Sequence, residues 1–312
     1  MGFIDELKQE NIEGIRKFPK ADLHNHFVLG GSRKYLRERI GENIQAIREP
    51  LHSMNDMHAW NEQNIGQIFN SSEGRRVLID ATFAQAKEDG VTILEIGEDV
   101  WGLNEFFHGD IDELVAAFET ANQEIAPEIE LRLQIGLSRH CDIGYLEDCL
   151  SHFWGNEAFY SIDLYGDELA QPIENFKSIY RRAKSEGLKL KAHVGEWGTA
   201  EDVRKAVECL ELDEVQHGIA AVEDKAVVRF LADNHIRLNI TPSSNYLLGR
   251  VKDLRAHPIA ELYHNGVDVT INSDDVLIFD SDVSKEYLRL YQCGCLGAEE
   301  LDDIRNNGLK RI

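Results

Sequence analysis

Two histidines separated by a single residue, His24 and His26, are the first side chains whose types and spacing could do chemistry. Residues two apart on a strand point to the same face, so both imidazoles could aim into one site. Taken alone the pair is weak: with 12 histidines in 312 residues, roughly 0.5 such pairs are expected by chance. It gains weight from other polar residues that close apolar runs: His193 after LKLKA, His217, and Asp274 with Asp275. Three imidazoles and a carboxylate suit a borderline-soft divalent cation such as Zn²⁺, with one position left for water.

Each of these residues also has a plainer reading. A strand-end histidine is commonly a hydrogen-bonded rim residue. Asp274-Asp275 could cap a helix, Glu196 could be a surface carboxylate, and Gly166 could serve only a turn. The plain readings fail jointly, because every candidate falls at the same end of a different expected strand.

Those strands are the elements that must position the site. Short apolar or alternating runs at 21–27, 91–97, 131–137, 159–165, 188–194, 214–218, 236–241 and 267–272 read as strands, with amphipathic helical stretches between them. Several of the helices stop at a glycine or asparagine, as at Gly90, Gly187, Asn234 and Gly266. Strands joined by helical crossovers predict a parallel sheet, and eight close a (β/α)₈ TIM barrel whose strand ends converge on one mouth. No GxGxxG follows the first strand, which argues against an open doubly wound sheet. Segment 33–75 is too long for a simple crossover and is expected to add helices over the mouth. No repeat or Pro/Gly linker divides the chain, so 1–312 reads as one domain.

Composition narrows the partners. With 33 basic and 56 acidic residues the formal charge is −23, which disfavours nucleic acid and anionic membrane. Its plainest reading is a well-solvated surface. Five scattered cysteines with no CxxC support neither a zinc ribbon nor a disulfide framework. The acidic N-terminal stretch lacks the apolar run of a signal peptide, and no stretch is long enough to cross a membrane, so the chain reads as cytoplasmic.

In strand order, these segments resemble the adenosine deaminase branch of the amidohydrolase superfamily. PKADLHNH (19–26) is similar to the family's P-K-x-E-L-H-x-H, and Arg139-His140 to its R-H. DLYGDE (163–168) resembles D-L-x-G-x-E, HVGE (193–196) resembles H-A-G-E, and QHG (216–218) resembles G-H-G. TPSSN (241–245) and NSDD (272–275) resemble C-P-x-S-N and N-T-D-D, and IRNNGLKRI resembles the closing helix. The resemblance implies one divalent metal, Zn²⁺, held by His24, His26, His193 and Asp274. It implies that Glu196 protonates the purine ring nitrogen and that His217 orients or deprotonates the attacking water. Asp275 would hydrogen-bond the imidazole side of the ring, and Gly166 the pyrimidine side.

This chemistry asks for such residues. Water must become nucleophilic near neutral pH, and metal binding lowers its pKa to about 7. A general acid must neutralise the ring nitrogen as aromaticity breaks, so the Glu196 pKa must be raised by burial or an apolar wall. Trp197 could supply part of that wall, although a rim tryptophan more often simply packs. The fourth strand holds no lysine that could bridge two metals, which favours one. The H-x-E and P-C-x-x-C signature of the other zinc deaminases is absent.

Two departures bear on substrate. Val28 stands where the family's nucleoside deaminases carry an aspartate for the sugar 5′-hydroxyl, a hydrogen bond worth about 0.5–1.5 kcal/mol. The adenine deaminases' glutamate is missing there too. The family's E-x-R appears as Glu95-Ile96-Gly97, followed by the acidic Glu98 and Asp99, a pocket unsuited to phosphate. The expected activity is hydrolytic deamination of an aminopurine or its nucleoside. The alternatives are hydrolysis of a different C–N bond on the same scaffold, or a retired enzyme that only binds. The final helix is shorter than the family's, which reads as a compact variant or a truncated chain.

Overall fold

The computed structural model describes residues 2–310, so Arg311 and Ile312 of the closing segment lie outside it. Eight strands form one sheet in the order β1 to β8: β1 (Lys20–Asp22), β2 (Val91–Ile96), β3 (Glu130–Ser138), β4 (Phe159–Tyr165), β5 (Lys189–Val194), β6 (Glu214–His217), β7 (Arg237–Ile240) and β8 (Asp268–Ile271). Each pairs in parallel with the next, and helices cross between them, giving a nearly closed (β/α)₈ barrel. Seven of the eight expected strands appear within a residue or two of their expected ends.

β1 differs. It stops at Asp22, so His24 and His26 lie beyond the ladder rather than on it. Side chains and one bridge hold the seam to β8 at this point. Leu23 N donates to Asn272 Oδ1 (2.8 Å), and the Ser273 hydroxyl to Asp22 Oδ2 (2.5 Å). Asp274 N donates to His24 O at 2.9 Å, and Asn25 bridges to Asp274. The barrel therefore closes through the backbones of two of the expected metal ligands.

The helices follow from caps and apolar faces. Ser71 caps Ser72–Asp89, Asp110 caps Ile111–Ile125, and Thr199 caps Ala200–Leu210, each accepting from backbone N–H groups of the first turn. Gly90 ends the first of these in the left-handed region, φ 74°. Segment 33–75 does add helices, Arg33–Ile40 and Met54–Phe69, before the crossover helix Ser72–Asp89. Among the described residues, no helix is long and apolar enough to cross a membrane.

Inside the barrel the side chains are not all aliphatic. Lys191 on β5 is fully buried between Glu95 (2.8 Å) and Glu214 (3.0 Å). Glu95 also accepts from the Ser161 hydroxyl (2.5 Å), and Glu214 from Asn239 Nδ2 (2.6 Å). This ionic layer lies in the barrel, and the same strands carry the site at their C-terminal ends.

Candidate active site

His24, His26, His193 and Asp274 converge from β1, β5 and β8. The Nε2 atoms of His26 and His193 face one another at 3.2 Å. Asp274 Oδ1 lies 3.7 Å from His24 Nε2 and 3.5 Å from His26 Nε2. Two ligands each about 2.0–2.1 Å from one tetrahedral ion are about 3.3 Å apart, so these spacings fit a single metal ion.

The outer nitrogens of the rings are already engaged. A carbonyl can only accept, so His24 Nδ1–H donates to Asn239 O (3.0 Å) and leaves Nε2 as a buried lone pair with no partner. His193 Nδ1–H likewise donates to Asp163 Oδ1 (3.3 Å). Such outer contacts fix the tautomer a metal requires. Burial pushes the His193 and His217 imidazoles well below the usual histidine range, so both rings are neutral. Burial acts against ionisation of Asp274 as well, but the neighbouring histidines overcome it and hold the carboxyl below its usual range.

His217 and Asp274 both adopt left-handed backbone, with φ of 64° and 59°. Non-glycine residues rarely do so, and such strain persists where the surroundings over-determine it. The His217 ring is set by Thr241 Oγ1 (3.0 Å) and Asn245 Nδ2 (3.2 Å) at Nδ1, while Nε2 faces Glu196 Oε2 at 3.7 Å.

Glu196 is raised well above the usual carboxyl range by burial, with Asp274 and Glu168 adding repulsion. Asp275 is raised in the same way by burial, Asp274 and Glu196. Glu196 Oε1 and Asp275 Oδ1 are both buried without a hydrogen-bond partner, although both residues line the cavity. Trp197 does not line the cavity; its ring packs under Arg250 at 4.4 Å. The apolar wall is instead the cavity itself.

The cavity holds about 260 Å³ and reaches from His193, Glu196, His217, Asp274 and Asp275 to Val28, Phe69 and Trp101. Gly166 lines it with φ 87°, a conformation a side chain would strain. His140 lines it as well.

Three features escape a reading of the sequence. Glu168 accepts four backbone N–H bonds: from Gly195 (2.6 Å), Glu196 (3.1 Å), Trp197 (2.7 Å) and Gly198 (3.1 Å). It clamps the turn that carries Glu196, and its place in DLYGDE was the available signal. Helix Met54–Phe69 lends Met57, His58 and Asn61 to the wall. The third is a buried cation beside Glu98. Gly97 cannot take the family's arginine, since a Cβ there would lie 1.7 Å from Gln134 O. A guanidinium arrives from elsewhere, with Arg75 Nη1 lying 3.3 Å from Glu98 Oε1. The cavity is therefore not without a positive partner.

Comparison with known proteins agrees with this architecture. The sequence model of the family described as adenosine deaminase matches residues 19–311. A putative adenosine/adenine deaminase of Treponema pallidum (strain Nichols) is 30% identical over 299 residues, spanning 95% of this chain and 100% of its own. The structure of adenine deaminase from Arthrobacter aurescens superposes with a TM-score of 0.77 at 23% identity, covering 93% of this chain and 92% of that one. An amidohydrolase from Burkhoderia ambifaria, solved with bound Zn, gives 0.79 at 20% identity over 96% and 87% of the two chains. With the match running from the residue before β1 past the last helix of the barrel, the chain belongs to the adenosine deaminase family.

Proposed function

We propose that this protein is a Zn²⁺-dependent aminohydrolase that removes the exocyclic amino group of an aminopurine as ammonia, with residues 1–312 working as one domain. The observation that carries the reading is one cavity lined by His26, His193 and Asp274, each within ligating reach of His24, and by a buried, unpartnered Glu196 carboxyl. The four cluster residues would hold the metal, whose Lewis acidity makes water nucleophilic near neutral pH.

The chain's own residues do the rest. His217 presents Nε2–H to the attacking water and orients it, because Asn245 Nδ2–H donates to Nδ1 and, with Thr241 Oγ1, keeps the ring in place. Glu196 delivers a proton to the ring nitrogen beside the attacked carbon, cancelling the charge that builds there. Asp275 Oδ1 bonds the imidazole side of the ring, and the Gly166 backbone bonds the pyrimidine side. Walls of Phe27, Leu29, Leu248 and Ile278 exclude water from the ring.

The test is ammonia release from a panel of aminopurines by metal-loaded protein, with Glu196→Gln beside the wild type. Turnover is expected to fall by about 10²–10⁴-fold while metal content, read by elemental analysis, stays near one per chain. Silence across the panel with metal bound would sink the reading. Metal lost from Glu196→Gln would show that this residue is a ligand instead.

A further inference from the structure

Behind the cavity, the hydrogen bonds that reach His217 form a chain in which every donor and acceptor is decided. It starts at Ile259 N, in the first turn of helix Ile259–His264, where a backbone N–H has no partner within the helix. That N–H donates to His257 Nδ1 at 3.1 Å. His257 is buried, and burial alone pushes its imidazole down to about 3, so the ring is neutral and carries one proton. With Nδ1 accepting, the proton sits on Nε2, which donates to Asn245 Oδ1 at 3.3 Å. Asn245 is fully buried, and its Nδ2 lies 3.2 Å from His217 Nδ1. An amide nitrogen only donates, so His217 Nδ1 accepts and its hydrogen sits on Nε2. Thr241 Oγ1, 3.0 Å from the same Nδ1, settles nothing by itself, because a hydroxyl donates or accepts as its neighbour requires.

We infer that His257 is a positioning residue that fixes the tautomer of His217 through the Asn245 amide, without lining the cavity itself. Turned the other way, the amide would set Nδ2 against the His257 Nε2–H, donor against donor, and offer Oδ1 to His217. His217 would then carry its hydrogen on Nδ1 and face the cavity with a bare Nε2. The two tautomers present opposite polarity at one place, a donor in the first and an acceptor in the second. The backbone holds both members of the lock. His257 N donates to Leu254 O (3.2 Å), and Asn245 O accepts from Arg250 N (2.9 Å) and Val251 N (3.0 Å). The catalytic consequence rests on the aminohydrolase reading. There, Nε2–H donates to the oxygen of the attacking water, whereas a bare Nε2 would take one of its hydrogens and reverse its orientation.

NMR of the histidine ring nitrogens in metal-loaded protein reads the tautomer directly, with the His217 signals identified by their loss in His217→Gln. In the wild type His217 is expected to show a bare Nδ1 and a protonated Nε2. His257→Phe keeps the bulk of the ring and removes the donor, and there His217 is expected to shift to the Nδ1–H form or to a mixture. His257→Gln supplies an amide N–H in place of the lost donor and is expected to restore the wild-type pattern. Deamination should follow the same order. In His257→Phe kcat is expected to fall by at least about tenfold, and by up to about 10⁴-fold if the wrong tautomer prevails, with KM and metal content nearly unchanged. His257→Gln should recover most of that loss. A His217 that keeps Nε2–H in His257→Phe overturns the inference, and so does a wild-type His217 with its hydrogen on Nδ1. A switched tautomer with unchanged kcat overturns the catalytic consequence. A switch that His257→Gln reverses, in a protein that deaminates no purine, would uphold the lock and overturn the aminohydrolase reading instead.

Discussion

The barrel contains two layers of polar side chains, and they are built on opposite principles. Within the barrel, Lys191 is held between Glu95 and Glu214, and Asn239 links Glu214 to the Thr270 hydroxyl (2.6 and 2.7 Å). At the mouth, His24 Nε2, Glu196 Oε1 and Asp275 Oδ1 have no partner. Burial works against the Lys191 cation, but Glu214 and Glu95 outweigh it and keep the ammonium charged. At the mouth burial prevails at His193, His217, Glu196 and Asp275, which are all driven toward their neutral forms. A polar group answered by its neighbours holds shape; one left unanswered is available to a ligand. Asn239 joins the two layers, its side chain in the lower and its carbonyl orienting His24 in the upper.

The largest effect is expected from the open layer. Chelation of the metal, or Asp274→Asn, should reduce deamination below detection while circular dichroism still reports a folded barrel. Restoring Zn²⁺ should return activity to the chelated wild type only. If the proposed site holds its metal only in the folded chain, chelation should also lower stability, by about 4 kcal/mol where metal had been present at 1,000 times its Kd. A chelated protein with full activity would break the comparison at its upper half.

The closed layer predicts a different kind of loss. Lys191→Met leaves Glu95 and Glu214 buried without their cation and should cost about 3–5 kcal/mol of folding stability. The triple variant Lys191→Met, Glu95→Gln, Glu214→Gln should regain much of it, since removing all charges removes the desolvation they suffer. Denaturant melts of the three proteins measure this. A fully stable Lys191→Met would show that the lower layer is not an ionic brace.

Much of the fold was legible because strand runs and helix stops are local signals. His193 closes a recognisable alternating run, and Asp274-Asp275 follows another. The position of His24 and His26 was not. They leave the ladder because the seam is closed by Asn272, Ser273 and Asp274, contacts roughly 250 residues away in sequence that no local period encodes. Arg75 was invisible for a similar reason: it sits in a helix after a long insertion, and its partner Glu98 comes from beyond β2. In the sequence Gly97 is only a missing arginine, whereas the structure shows a backbone approach that excludes any side chain. Adjacency to Glu196 does not carry Trp197 into the cavity, because its ring packs against Arg250 instead.

The smallest effect is expected where the open layer borrows the method of the closed one. Glu168 is buried, and four backbone N–H groups answer its carboxylate, yet what it holds is the turn carrying the unanswered Glu196. A carboxylate satisfies all four donors with its negative charge; an amide of the same shape keeps one acceptor and turns two donors toward N–H groups. Glu168→Gln should therefore let the 195–198 turn shift without touching the metal cluster. The expected outcome is a fall in kcat of about tenfold, the scale of one charge-assisted hydrogen bond, with KM and metal content nearly unchanged. A general-acid pH limb that moves with the variant would separate this positioning role from simple loss of fold. A fall confined to stability, with kcat intact, would place Glu168 with Lys191 as a brace and leave Glu196 positioned by its own packing.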